Sequence, residues 1–236
     1  MGQLTTFRTS GARITKSNPT SDWENDIQGA STGTFIFNLN PTASGTSPGV
    51  GVQAAYFSGR GGATTGTIVR TFYQFTVPSE AVGLITGITL RIVPFNYSIG
   101  DVVVAKSTAV PFANQYNTGH FGSYQSTAYS SVINPSSGWN PTWPTTTGTT
   151  DTFDITLNSS AISEANANSG VLKIVFMNYT HDFEVSEPSV GTNVYNGARL
   201  IVDYGYGNIV AGVAGANIGK VINVATANIG KVSGVS

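Results

Sequence analysis

The stretch Ile68–Val77 constrains this chain most. Val69, Thr71, Tyr73, Phe75 and Val77 alternate with Arg70, Phe72, Gln74 and Thr76, and Pro78 stops the run. Period-two alternation of β-branched and aromatic residues specifies a strand, and an apolar residue on both phases specifies one that is covered on both sides. Similar runs recur along the chain. Thr34–Leu39 ends at Asn40-Pro41, and Gly51–Phe57 follows as a short strand. Ile85–Pro94 points Ile88, Leu90 and Ile92 inward and Thr89 and Arg91 outward. Asp101–Lys106, Asp154–Leu157, Val171–Tyr179 and Ala198–Tyr204 complete the set. Strands at this spacing, separated by turn residues, predict an all-β, jelly-roll-like antiparallel β-sandwich. One short helix is predicted over Ser160–Ser169, with Ser160 as its cap and Gly170 as its stop. In the polar segment 1–34, Phe7 and Ile14 are the predicted core anchors of edge strands.

A body over residues 1–204 is followed by a different kind of sequence. In the tail, residues 205–236, Ala216-Asn217-Ile218-Gly219-Lys220-Val221 returns eleven residues later as Ala227-Asn228-Ile229-Gly230-Lys231-Val232. Its apolar positions are Ile218, Val221, Val224, Ile229, Val232 and Val235. An eleven-residue apolar repeat can wind helices into a right-handed coil. Here Gly212, Gly215, Gly219, Gly230 and Gly234 each cost about 1 kcal/mol inside a helix, so extended segments are favoured. Such segments leave backbone groups unpaired, and pairing with other copies of the chain, a trimer first, is the expected remedy. Lys220 and Lys231 have no acid after Asp203 to pair with, so an acidic neighbouring protein is expected.

Charge and composition exclude several function classes. Charged residues make up 10% of the 236, and the net charge is -1. A nucleic-acid surface needs clustered cations, so none is expected. There is no cysteine, hence no disulfide framework and no thiolate metal site. The first residues do not match a secretory signal, and no apolar run reaches membrane-spanning length. The expectation is therefore a chain made in a cytoplasm yet surfaced with Ser, Thr, Asn and Gln, which fits a virion protein assembled inside its host.

Candidate sites are few. Residues 107–150 form a long loop region holding Tyr116, His120, Tyr124, Trp139 and Trp143. Loops of that length are often functional. Tyr116, Tyr124, Trp139 and Trp143 are candidate glycan-stacking rings, the alternative being that they fold back to cap the sandwich. Asp22, Glu24 and Asp26 alternate, so in an extended loop they would converge on Ca²⁺, although the glycine and distal glutamate of a calcium loop are missing. Otherwise no metal or cofactor is expected. The two histidines, His120 and His181, have no metalloprotease spacing. Asp182, Glu184 and Glu187 are the remaining loop carboxylates for glycoside chemistry, and no convergent constellation points to an enzyme. Asn96-Tyr97-Ser98, Asn158-Ser159-Ser160 and Asn178-Tyr179-Thr180 match the glycosylation pattern by chance in a hydroxyl-rich chain.

Two resemblances complete the reading. Arg70-Thr71-Phe72-Tyr73-Gln74-Phe75, Ile85-Thr86-Gly87-Ile88-Thr89-Leu90, Phe153-Asp154-Ile155-Thr156, the Phe183 and Ser186-Glu187 loop, and Ala198-Arg199-Leu200-Ile201-Val202-Asp203-Tyr204 occur in that order. The pattern resembles the DNRLRE-type, carbohydrate-binding-module-like jelly-roll domain over Arg70–Tyr204, with Gly197-Ala198 where the family has proline. Lys220-Val221, Val224-Ala225, Lys231-Val232 and Gly234-Val235 resemble the terminal repeats of tailed-bacteriophage structural and fibre proteins. Together they imply a non-enzymatic virion component, a capsid decoration, head fibre or tail protein, partnered by other virion proteins. The alternative they imply is a carbohydrate-binding adhesin that takes a host-surface glycan.

Overall fold

The computed structural model describes residues 1–20, 22–39, 50–58, 64–97, 102–111, 113, 115–133, 153–184, 190–205, 220–221 and 224–225. The described residues are mostly antiparallel β-strand, with one α-helix among them. Its strands are β1 Gly2–Pro19, β2 Phe35–Asn38, β3 Val50–Ser58, β4 Thr64–Thr76, β5 Ile85–Tyr97, β6 Val102–Ser107, β7 Tyr124–Ala128, β8 Phe153–Thr156, β9 Val171–Asn178 and β10 Val190–Tyr204. They form one sheet that curls over itself. One side runs β2, β1, β4, β9, β6, β7, and the other runs β8, β5, β10.

The first strand joins the two sides. Gly2–Phe7 pair with Tyr204–Arg199 of β10, and after a register shift between Arg8 and Ser10 the rest of β1 pairs with β4. β3 makes a second join, pairing with β4 and with the start of β10. The expected edge role is corrected for Ala12–Thr15, which lie between β2 and β4, while among the described strands Gly2–Phe7 pair with β10 alone. Of the two expected core anchors, Ile14 is fully buried, whereas Phe7 stands outside at 48% exposure. A strand shared between layers places its two halves on different faces, which a short apolar count does not register.

Two cores result. The first lies inside the curl. Ile88, Leu90, Ile92, Leu200 and Val202 from one side meet Tyr73, Phe75, Val104, Leu172, Ile174 and Phe176 from the other. The second covers the outer face of β1, β4, β9 and β6, where Ile14, Ile68, Phe72, Val103, Val175 and Met177 lie under Trp23, Ile27, Tyr116 and Phe121. Both phases of β4 are therefore buried, as its alternation predicts.

The helix α1, Ser159–Ala167, begins at Asn158, whose Oδ1 accepts from the amides of Ser160 and Ala161. Asn158 is thus the cap, in place of Ser160. Ala161 and Ala165, one turn apart, face the first core. The helix exits through Ser169 and Gly170 at φ 52° and 82°. A Cβ on Gly170 would stand 2.7 Å from the Val77 carbonyl, so this turn takes glycine for both backbone and space.

The body strands close at Tyr204, and the Gly205 amide bonds the Leu84 carbonyl. In the tail, β11 Lys220–Val221 pairs antiparallel with β12 Val224–Ala225. The described tail segments, Lys220–Val221 and Val224–Ala225, are extended and pair locally across a short turn. Ile218, Ile229, Lys231, Val232 and Val235 lie outside the described residues.

Candidate functional site

Alternation along β4 carries a consequence for Arg70. It shares its face with Ile68 and Phe72, so it points into the second core, where it is fully buried. A cation there needs a counter-charge and acceptors. Three loop segments supply them: the helical turn Glu24–Gln28, the segment Thr118–Tyr124 and the helical turn Tyr179–Phe183. Arg70 Nε donates to both carboxylate oxygens of Asp182, at 3.1 and 3.0 Å, and Nη2 donates to Oδ1 at 2.5 Å. Nη1 donates to the Phe121 carbonyl at 2.8 Å and Nη2 to the Gln28 carbonyl at 2.7 Å. The guanidinium carbon lies 4.0 Å from the centroid of the Phe121 ring and 4.5 Å from that of Tyr124. Both charged side chains are 0% exposed. One planar fork thereby joins all three loops, a task that lysine's point charge cannot perform.

Further bonds tie the loops to each other. Trp23 Nε1 donates to the His181 carbonyl, Gln28 Nε2 to the Asp182 carbonyl, and the Gly122 amide to the Ser31 carbonyl. A Cβ on Gly122 would approach Ser31 Cα to 3.1 Å, so a larger residue here would press the two loops apart by a few tenths of an ångström. Burial pushes the Asp182 carboxyl above its ordinary value, against the charge and hydrogen bonds of Arg70, which pull it down. Burial likewise raises the Tyr124 hydroxyl.

Where the loops meet they leave a cleft of about 370 Å³, lined by Gln28, Gly29, Ala30, Ser31, Gly122, Tyr124, Gln125 and Ser126. Among the described residues its lining is neutral. It combines amides and hydroxyls with the apolar Ala30 and one half-buried phenol ring.

The predicted site residues separate into three groups. Tyr124 lines the cleft. Tyr116 belongs to the core: it is 3% exposed, its ring centroid is 5.9 Å from that of Phe72 and 5.5 Å from that of His120, and burial raises its hydroxyl to about 12. The reading of Tyr116 as a solvent-facing platform is thus corrected, because capping Phe72 removes more apolar surface from water than standing free. Trp139 and Trp143 lie outside the described residues.

The acidic trio is also redirected. Asp22 accepts from the backbone and side chain of Asn25, Asp26 accepts from Thr20, and the segment winds into the Glu24–Gln28 turn. In a helical turn residues two apart point away from each other, so Asp22, Glu24 and Asp26 do not converge. Among the described residues no group of three or more His, Asp or Glu side chains could hold a metal ion.

Other candidates are engaged locally. His120 Nδ1 accepts from the Asn117 amide. Tyr179 donates to Glu184. Asn178 is 1% exposed and its Oδ1 caps the Tyr179–Phe183 turn, so that sequon is a structural cap. Sequence reasoning missed the Arg70–Asp182 pair. The available signal was an arginine at the centre of a strand that reads as covered on both faces, which demands a buried acid. Gln28, Gln125 and Ser126 carry no such signal. Compared with family models and with curated proteins, the chain matches none, so the site is read from its own chemistry.

Proposed function

We propose that this chain is a non-enzymatic structural protein of a tailed-bacteriophage virion, a capsid decoration, head fibre or tail component. Its β-sandwich is the knob, and its tail attaches or oligomerises it. The observation that carries this reading is the repeat tail. A glycine-punctuated tail with an eleven-residue repeat is unlike a packed core, and its described segments, Lys220–Val221 and Val224–Ala225, are extended strands. Extended, glycine-punctuated repeats suit assembly with identical neighbours. The knob fits the same reading, since its fully buried Arg70–Asp182 ion pair is spent on loop architecture. A second reading, a carbohydrate-binding adhesin module, is favoured by the half-buried ring of Tyr124 in the loop cleft.

Mass spectrometry of purified particles from the source that encodes this chain tests the proposal. The chain is expected in many copies per particle. Its presence only in an exported or envelope fraction, with none in particles, overturns the virion reading and favours the adhesin.

A further inference from the structure

We propose that the loop cleft beside Tyr124 is a binding subsite for a neutral saccharide. The inference rests on the adhesin reading for its ligand class and adds the place and the residues.

The lining decides the chemistry. Among the described residues no Lys, Arg, His, Asp or Glu borders the cleft, so an anionic or cationic ligand finds no counter-charge among them. A lipophilic ligand is less well served, because such pockets are lined mainly by apolar side chains and this one offers Ala30 and the Tyr124 ring among amides and hydroxyls. The ligand that fits presents several hydroxyls on its rim and an apolar C–H face. A neutral pyranose does both.

The named groups match it. A primary amide donates and accepts in one plane, so Gln125 can address two neighbouring hydroxyls, and Ser126 and Ser31 add donor–acceptor groups. The side chains of Gln125 and Ser126 are exposed and so open to a ligand. Gln28 is held differently. Its Nε2 is committed to the Asp182 carbonyl at 2.8 Å, which fixes the amide and leaves Oε1 to accept. Tyr124 supplies the aromatic surface, and the Arg70 guanidinium at 4.5 Å anchors its ring.

Arg70 gives the cleft its preorganisation. It holds the Gln28 carbonyl on one wall and the Phe121 carbonyl and Tyr124 ring on the other, and the Gly122–Ser31 hydrogen bond joins the two. A ligand entering between walls already fixed loses little affinity to loop ordering. The buried ion pair thus serves the cleft as its foundation without touching a ligand.

The test uses the full chain on an array holding neutral oligosaccharides of glucose, mannose, galactose and N-acetylhexosamines beside sialylated and uronate glycans. Titration calorimetry then follows with the best neutral binder. Expected is binding in the neutral arm alone. Gln125→Ala should weaken it about fivefold, and Gln125→Ala with Ser126→Ala tenfold or more, with thermal midpoints unchanged because both residues are exposed. Tyr124→Phe, which keeps the ring over Arg70, should retain most of the binding, and Tyr124→Ala should abolish it. Neutral binding that the Gln125/Ser126 double variant leaves unchanged overturns this site and spares the adhesin reading. Binding only to charged glycans overturns the neutral class. Absence of binding to any glycan at millimolar concentration overturns both.

Discussion

Replacing Arg70 with methionine tests the loop architecture. Methionine fills much of the arginine stem's volume, so the loss is electrostatic and hydrogen-bonding in origin. Asp182 is left as a fully buried carboxyl without its cation, and the Gln28 and Phe121 carbonyls lose their donors. Breaking one side of a buried ion pair costs about 3–5 kcal/mol. Each orphaned carbonyl adds about 1 kcal/mol. The expected loss of about 5–7 kcal/mol rivals the whole stability of a small domain, about 5–15 kcal/mol. Removing both charges in Arg70→Met/Asp182→Leu leaves no orphan charge, so the double variant should be more stable than the single one.

The deficit also depends on pH. Without Arg70, burial acts on Asp182 unopposed and raises its folded-state value further above the unfolded one. A carboxyl raised in this way stabilises the fold below its unfolded value, and that contribution is lost as pH rises through the folded value. The Arg70→Met deficit should therefore narrow as pH falls from 7 towards 4. Urea unfolding followed by fluorescence reads the effect, because Trp23 donates to the His181 carbonyl within the same loops. A single variant within about 0.5 kcal/mol of the parent, or a double variant less stable than the single, would refute the clamp.

Two further substitutions probe the frame. Gly170→Ala should cost about 1–3 kcal/mol in urea unfolding, because alanine meets both the positive φ and the Val77 carbonyl; an unchanged midpoint would show that the turn relaxes. Asp154→Asn removes the cross-strand fork that Arg91 makes to Asp154 between β5 and β8. Both side chains are substantially solvated, so solvent screening holds the cost to about 0.5 kcal/mol or less. Arg91 lowers the Asp154 carboxyl, so this contribution is present above the unfolded value and lost as pH falls through the folded one. Thermal melts across pH should show the parent and variant converging in acid.

The sheet was largely legible because alternation reports burial directly. Ile88, Leu90 and Ile92 read inward and are buried, and the double-phased β4 read as covered on both sides and is. Three elements were not. β1 carries few large apolar residues and changes partners midway, its first half pairing with β10 and its second with β4, with β2 added at Ala12–Thr15. β7 and the first half of β10 are polar strands whose partners, not their side chains, define them. Of the cleft, Tyr124 was legible as a loop aromatic. Gln28 was not, because its place beside Tyr124 depends on Arg70 gathering loops 42 and 51 residues away in sequence.

The most direct test of the central claim compares sedimentation of the full chain with that of a chain ending at Gly205. The body strands close at Tyr204, so the shortened chain should keep the parent's thermal midpoint while sedimenting as a monomer. The full chain should sediment as an oligomer, a trimer first. A full chain that remains monomeric at all concentrations, or a shortened chain that oligomerises equally, would contradict an assembly role for the tail.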